Sequence, residues 1–225
     1  KPEGPGPYPC VYYIHGGGMM MSSCYVPYMT AFGRLIAHFG VAVVQVDFRN
    51  SLYPSSVPEV APFPAGLNDC VSGLRYIASH GAELGIDPAR IIVAGESGGG
   101  NLSLATAMKL KRDGDLGLLQ GIYVMCPCIA GEWPGGEGTS ADRNDGIMMT
   151  KPSNYMAMAY GIDELTARNP LAWPGFASEA DVADFPPTII NVNECDCLRD
   201  DGVAFYRLLL RAGVNARCRE LMGTT

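Results

Sequence analysis

Residues 91–102 read IIVAGESGGGNL, and this stretch decides the fold. Its first half, Ile91 to Ala94, is apolar and rich in β-branched residues, which reads as a buried strand. Its second half opens a helix expected over 99–112. Between them stands Gly95-Glu96-Ser97-Gly98-Gly99, a G-x-S-x-G pattern in the strand–turn–helix setting that gives it meaning. A turn this sharp forces Ser97 into a strained backbone, and small residues at 95 and 99 let strand and helix pass closely. The Ser97 hydroxyl is thereby lifted above the sheet at a helix N-terminus, where free N–H groups favour developing negative charge. The competing reading is a Gly-rich phosphate-binding turn. It lacks both the lysine of a P-loop and the spacing of a dinucleotide fingerprint.

Outward from this turn, strand-like apolar runs alternate with helix-like periodic segments. Strands are expected at 10–14, 41–48, 90–95, 119–126, 188–194 and 215–221. Helices are expected at 25–39, 64–80, 99–112 and 200–212. Met29, Phe32, Leu35, Ile36 and Phe39 form one helical stripe; Leu67, Cys70, Val71, Leu74 and Ile77 form another. Alternating elements with two-sided apolar strands predict an α/β fold with a mostly parallel, doubly covered sheet. The last strand differs, with Arg217 and Arg219 on one face and Ala216 and Cys218 on the other, which suits an edge. Residues 130–180 break the rhythm with Gly, Pro, Asp and Ser, and hold one short helix candidate around Ser153–Tyr160. An insertion of that length between strands suits a lid or binding segment.

Composition narrows the function classes. A chain of 225 residues, 48% hydrophobic and 17% charged, suits one soluble domain with a large core. The net charge of −7 argues against nucleic acid or an anionic membrane as partner. No apolar run approaches the ~18 residues that a membrane helix needs. The opening KPEGPGPYPC shows neither a signal-peptide pattern nor an initiator Met, so a cytoplasmic protein incomplete at this end is expected. Four of the eight cysteines form C-x-C pairs, Cys126/Cys128 and Cys195/Cys197, and there are only three histidines. Zinc sites favour wider spacing and more partners. The cysteines read as free, small, buried hydrophobes in a reducing compartment, with no metal or cofactor expected.

Two further stretches carry chemistry. His15-Gly16-Gly17-Gly18 follows the first strand directly, and glycines there let backbone N–H groups approach a ligand. With Gly98, the residue after the nucleophile, the amides of Gly16 and Gly17 supply candidate donors for an oxyanion. His15 sits inside this loop and reads as support for its shape. The second stretch, NECDCLRDDG (193–202), follows a strand, where the acid of a catalytic triad belongs. Glu194, Asp196, Asp200 and Asp201 compete; Asp196 stands at the strand-to-loop transition, and Asp200 and Asp201 read ordinarily as helix N-caps.

These stretches in this order resemble the hormone-sensitive-lipase-like branch of the α/β-hydrolases, the bacterial family IV carboxylesterases. HGGG is similar to the oxyanion loop of that branch. VDFRNSLYPSSVPEVAPFPAGLND resembles its Y-R-L-A-P-E…P-F-P-A segment, with Phe48 for Tyr. GIDPARIIVAGESGGGNL resembles D-P-x-R-I…G-D-S-A-G-G-N-L, with Gly98 where Ala is usual. DFPPTIINVNECDCLRDDG resembles L-P-P-T…D-x-L-R-D-E-G, which implies Asp196 as the acid. The resemblance implies hydrolysis of short- to medium-chain esters through an acyl-enzyme on Ser97, without metal or cofactor, under a cap that includes residues 130–180. Tyr155, Met156, Met158 and Trp173 in that insertion, and the Met-rich residues 18–23, either line an acyl site or pack the body.

The resemblance also implies what residues 1–225 do not contain. The family order is Ser, acid, His, and no histidine follows Asp196; His38 and His80 fall late in helices. The base is therefore expected just after Thr225, and residues 1–225 alone are expected to be inactive. Two earlier strands and an N-terminal cap segment are expected before the strand 10–14, whose edge would otherwise be open, and a C-terminal helix after the last strand. Alternatives remain on the same scaffold: a lactonase, amidase or deacetylase, or a non-catalytic ligand-binding protein of the kind the gibberellin receptors represent. A homodimer through the last strand is a further expectation.

Overall fold

The computed structural model describes residues 1–132, 136–150 and 155–225. In chain order the elements are β1 (Tyr8–Ile14), α1 (Pro27–His38), β2 (Ala42–Val46), α2 (Ala65–Ser79), α3 (Gly81–Leu84), β3 (Ile86–Glu96), α4 (Gly98–Asp113) and β4 (Gly121–Met125). After these come α5 (Ser140–Arg143), α6 (Tyr155–Tyr160), α7 (Ile162–Thr166), α8 (Glu179–Val182), β5 (Thr188–Asn193), α9 (Arg199–Arg211) and β6 (Ala216–Leu221). The six expected strands and four long helices are all present, with boundaries shifted by a few residues.

Every strand pairing is parallel, in the order β2-β1-β3-β4-β5-β6. One expectation is corrected here. β1 is not an open edge; it lies between β2 and β3, and the described edges are β2 and β6. The α1 crossover carries the chain outward to β2, and the next crossover returns it to the far side of β1 as β3. At β6 the expected edge pattern holds, with Arg217 and Arg219 exposed and Ala216 and Cys218 half-buried.

The two faces of the sheet differ. Cys10, Tyr12 and Ile14 of β1 join Ile91, Val93, Ile122, Val124, Ile190 and Val192 in a core shared with α2, α4 and α9. Helix α4 is buried along nearly its whole length, and Gly114 ends it in the left-handed region (φ 84°), its amide closing onto Leu110 and Lys111. The opposite face holds a small cluster of Tyr13, Met29 and Ala94 under α1. The α2 stripe is buried as the periodicity predicts. The α1 stripe is not: only Met29 is buried, and Leu35 and Phe39 are exposed. Helical periodicity marks a face but not whether anything covers it.

This topology aligns the carboxyl ends of the strands. Ile14 pairs with Gly95, Glu96 with Met125, Met125 with Asn191 and Asn193 with Leu221. The loops that begin at His15, Ser97, Cys126 and Glu194 therefore emerge along one edge of the sheet.

Candidate active site

Ser97 links β3 to α4 with φ 52° and ψ −119°, a backbone that costs a non-glycine residue about 1–3 kcal/mol. Three hydrogen bonds hold it there. Its amide donates to the Met125 carbonyl (2.9 Å), and its carbonyl accepts from the amides of Asn101 (3.1 Å) and Cys128 (3.0 Å). The flanking glycines are required by crowding. A Cβ on Gly95 would stand 2.3 Å from the Gly99 carbonyl oxygen, and one on Gly99 would stand 2.0 Å from the Ile14 oxygen. Gly98 is as constrained: its Cβ would meet the Met19 and Gly18 nitrogens at 2.7 and 2.8 Å. The alanine usual at this position would not fit against this loop.

The glycine loop is thus pressed onto the turn that carries Ser97. Gly17, Gly18 and Met19 follow one another with positive φ (110°, 62° and 59°), and the Gly17 carbonyl accepts from the amides of Met20 and Met21. Gly16 packs against Glu96, whose Cγ lies 3.2 Å from the point where a Cβ on Gly16 would stand. His15 is fully buried and stacks on Phe48 with ring centroids 4.4 Å apart. Its Nδ1 lies 2.7 Å from the Gly16 carbonyl oxygen, and burial lowers its pKa, so it is a neutral ring that fastens the loop.

The segment after β2 grips the back of this loop. Ser51 donates through its amide and hydroxyl to the Met19 carbonyl, and the Asn50 side chain donates to the Ser22 carbonyl. Asp47 accepts from the Ser23 hydroxyl, the Cys24 amide, and the amide and hydroxyl of Ser56. Burial opposes its charge, yet the donors, Ser56 first, hold its pKa down to about 2. Sequence reading missed Asp47; its spacing before Arg49 carried no signal of this contact.

The four competing acids separate by environment. Asp196 is 5% exposed; its Oδ1 accepts from the Leu198 amide (2.9 Å) and faces the Cys197 thiol (3.6 Å). Burial raises its pKa, and those donors only partly offset it. Asp200 accepts from the Ser140 amide at the start of α5 (2.7 Å) and pairs with Arg199. Neither Asp200 nor Asp201 is an N-cap: α9 begins at Arg199, its cap residue is Leu198, and both acids lie in the first helical turn. Asp201 is pushed up to about 7 by burial and by Asp200 and Asp196. Glu194 accepts from the Gly223 amide (2.6 Å).

The end of β6 is tied to the same loop. The Glu194 amide donates to the Leu221 carbonyl (3.0 Å), the Cys195 amide to the Thr224 carbonyl (2.8 Å), and the Asn193 side chain to the Thr225 carbonyl (2.8 Å). No described hydrogen bond or electrostatic contact of Asp196 involves His15, His38 or His80. His80 stacks on Tyr76, and His38 is exposed at the end of α1.

In the insertion, Trp173 is fully buried, donates from Nε1 to the Gly161 carbonyl (3.1 Å) and packs edge-on against Tyr160. It packs the insertion rather than lining a site. Met156 touches both loops: its Sδ lies 3.4 Å from Cys128 Sγ and 3.1 Å from the Cβ position of Gly18. Tyr155 and Met158 are exposed. The expected helix start at Ser153 lies outside the described residues. All eight cysteines are free, five of them buried, and among the described residues no group of three or more potential metal ligands occurs. No described helix is long and apolar enough to cross a membrane.

The chain is 30% identical to esterase LipI of Mycobacterium tuberculosis over 92% of its length and 61% of that protein. It is 33% identical to carboxylesterase NlhH of the same organism, over 92% of this chain and 62% of that one. The chain thus spans a little over three-fifths of the length of these relatives. Among solved structures it superposes on esterase Est22 with a TM-score of 0.97 at 58% identity, covering 100% of this chain and 67% of the other. Brefeldin A esterase, described as a bacterial homologue of human hormone-sensitive lipase, gives 0.89 at 36% identity over 97% of this chain and 61% of its own. A family match spans residues 11–225, nearly the whole chain, and the protein therefore belongs to the family with the alpha/beta hydrolase fold.

Proposed function

We propose that the protein is a serine carboxylesterase acting on small-molecule esters of short to medium acyl chain. Ser97 attacks the ester carbonyl while a histidine takes its proton. The oxyanion is met by the amides of Gly98, Gly17 and Gly18; Gly18 is added to the sequence-based set because it closes on Gly98, and Gly16 is left to Glu96. The alcohol leaves with the proton from the base, and water then hydrolyses the acyl-enzyme. Asp196 orients the base and stabilises the imidazolium. A buried carboxylate with a raised pKa and no described cation beside it is a fitting counter-charge for such a partner.

The observation that carries this reading is the strained turn at Ser97, locked against a glycine loop at the carboxyl edge of a parallel sheet. The base is proposed to be a histidine that follows Thr225, since Leu221, Thr224 and Thr225 are already bonded to the residues just before Asp196. Residues 130–180 are proposed as a cap, on the contact of Met156 with both loops. The eight free thiols support a cytoplasmic location. The exposed outer edge of β6 supports a homodimer, which light scattering at micromolar concentration would test. Steady-state rates of the full-length protein on p-nitrophenyl esters, amides and lactones test the reaction class; amides or lactones turned over faster than esters would overturn it.

One observation favours a second reading. Because no described histidine contacts Asp196, a hydrolase-fold ligand-binding protein would look the same over these residues. Covalent labelling of Ser97 by an ester-mimicking phosphonate separates the two.

A further inference from the structure

The mechanism above gives no role to Glu96, the residue before the nucleophile. It is the last residue of β3 and is half-buried. Its Cγ, backbone oxygen and Oε1 lie 3.2, 3.3 and 3.4 Å from the point where a Cβ on Gly16 would stand. The Gly16 amide and the hydroxyl of Tyr13, which is 2% exposed, both favour the charged form of its carboxyl against burial. Tyr13 belongs to β1, beside the Ile14–Gly95 pairing, and Gly16 begins the loop that follows. One carboxylate at the tip of β3 thus meets both the strand and the loop that carry the oxyanion glycines. Packing alone does not call for an ionisable group here, because burying a charge costs free energy that an apolar side chain avoids.

We infer that Glu96 is a positioning residue, whose carboxylate holds the glycine loop at its working distance from Ser97 through Gly16 and Tyr13. This inference rests on the oxyanion reading of that loop. The titratable groups that face Glu96 are Tyr13 from β1, Tyr28 from α1 and Cys126 from the loop after β4; no described cation pairs with it. All three carry pKa values raised by burial first and by the acid second or later, so they are neutral partners at neutral pH. Burial likewise raises the pKa of Glu96, against the pull of its two donors. Its folded state therefore holds the proton more tightly than the unfolded state does. The stability it contributes is full below the unfolded pKa and is lost as pH rises through the folded one. Where the carboxylate is charged it costs stability while it holds the loop, which separates a positioning role from a structural one.

The test uses the full-length protein and p-nitrophenyl acetate at pH 8, with E96Q, E96A and Y13F, together with the amide shift of Gly16 followed by NMR from pH 4 to 8. Displacement of an oxyanion donor predicts a kcat loss on the order of 100-fold in E96A and about 5-fold in E96Q, whose amide oxygen still accepts, with KM within about twofold. Y13F should lose about 3-fold for one neutral hydrogen bond. The Tm of E96Q should stay level or rise. The Gly16 amide should titrate in the native protein and stay flat in E96Q. Full kcat in E96A, a kcat loss in E96Q matched by a fall in Tm, or a Gly16 amide that ignores pH would each overturn the inference. If the native protein hydrolyses no ester, the esterase reading fails, and the Gly16 titration still decides whether Glu96 holds the loop.

Discussion

The turn at Ser97 and the insertion at 130–180 are built in opposite ways. The turn is over-determined: glycines 95, 98 and 99 sit where no side chain fits, and three backbone hydrogen bonds fix a strained serine. Among the described residues, the insertion and the helix that follows it comprise helices of four to six residues. Helices that short are not stable alone and form only through capping and tertiary contacts. Thr139 caps α5, Ser178 and Asp181 form a capping box on α8, and Asp200 reaches across from α9 to the first amide of α5. Chemistry and sterics dictate residue identity in the turn, whereas the insertion is held by helix caps and by the buried Trp173.

Substitutions in the full-length protein break this comparison in order of size. Ser97→Ala should lower kcat by about 10⁶-fold with stability retained or improved, since alanine tolerates φ 52° no better and only the hydroxyl is lost. Asp196→Asn should cost about 10⁴-fold by leaving the base unoriented. Gly98→Ala, harmless in a looser site, should cost on the order of 100-fold here, because its methyl collides with the Gly18 and Met19 backbone. Trp173→Ala should leave the chemistry but cost about 3–5 kcal/mol of stability, read by chemical denaturation. Asp201→Asn should have the smallest effect. The carboxyl pKa, raised to about 7, means that stability falls as pH rises from about 4 to 7. The variant should gain in Tm relative to the native protein across that window, about 2–4 °C per kcal/mol, and match it below.

The same contrast explains what was legible. The strand–turn–helix at 91–102, the parallel order of elements and the α2 stripe are written in periodicity and in glycines forced by crowding. Two features were not. Pairing order is absent from any local pattern, so β1 was expected to have an open edge and instead lies between β2 and β3. The side-chain contacts of acids are long-range: Asp47 gripping residues 23, 24 and 56, and Asp200 serving α5 rather than its own helix, depend on which loops the topology brings together. Gly16 shows the finer limit. Its motif marks it as an oxyanion donor, and only the fold brings the Glu96 side chain against it.

The proposed chemistry makes Ser97 a nucleophile completed by Asp196 and a histidine beyond Thr225. Its most direct measurement is peptide mapping after reaction with a fluorophosphonate, run in parallel on the full-length protein and on residues 1–225. One adduct is expected, on Ser97, in the full-length protein, and none in S97A or in residues 1–225. Labelling of another residue, or equally fast labelling of residues 1–225, would contradict it.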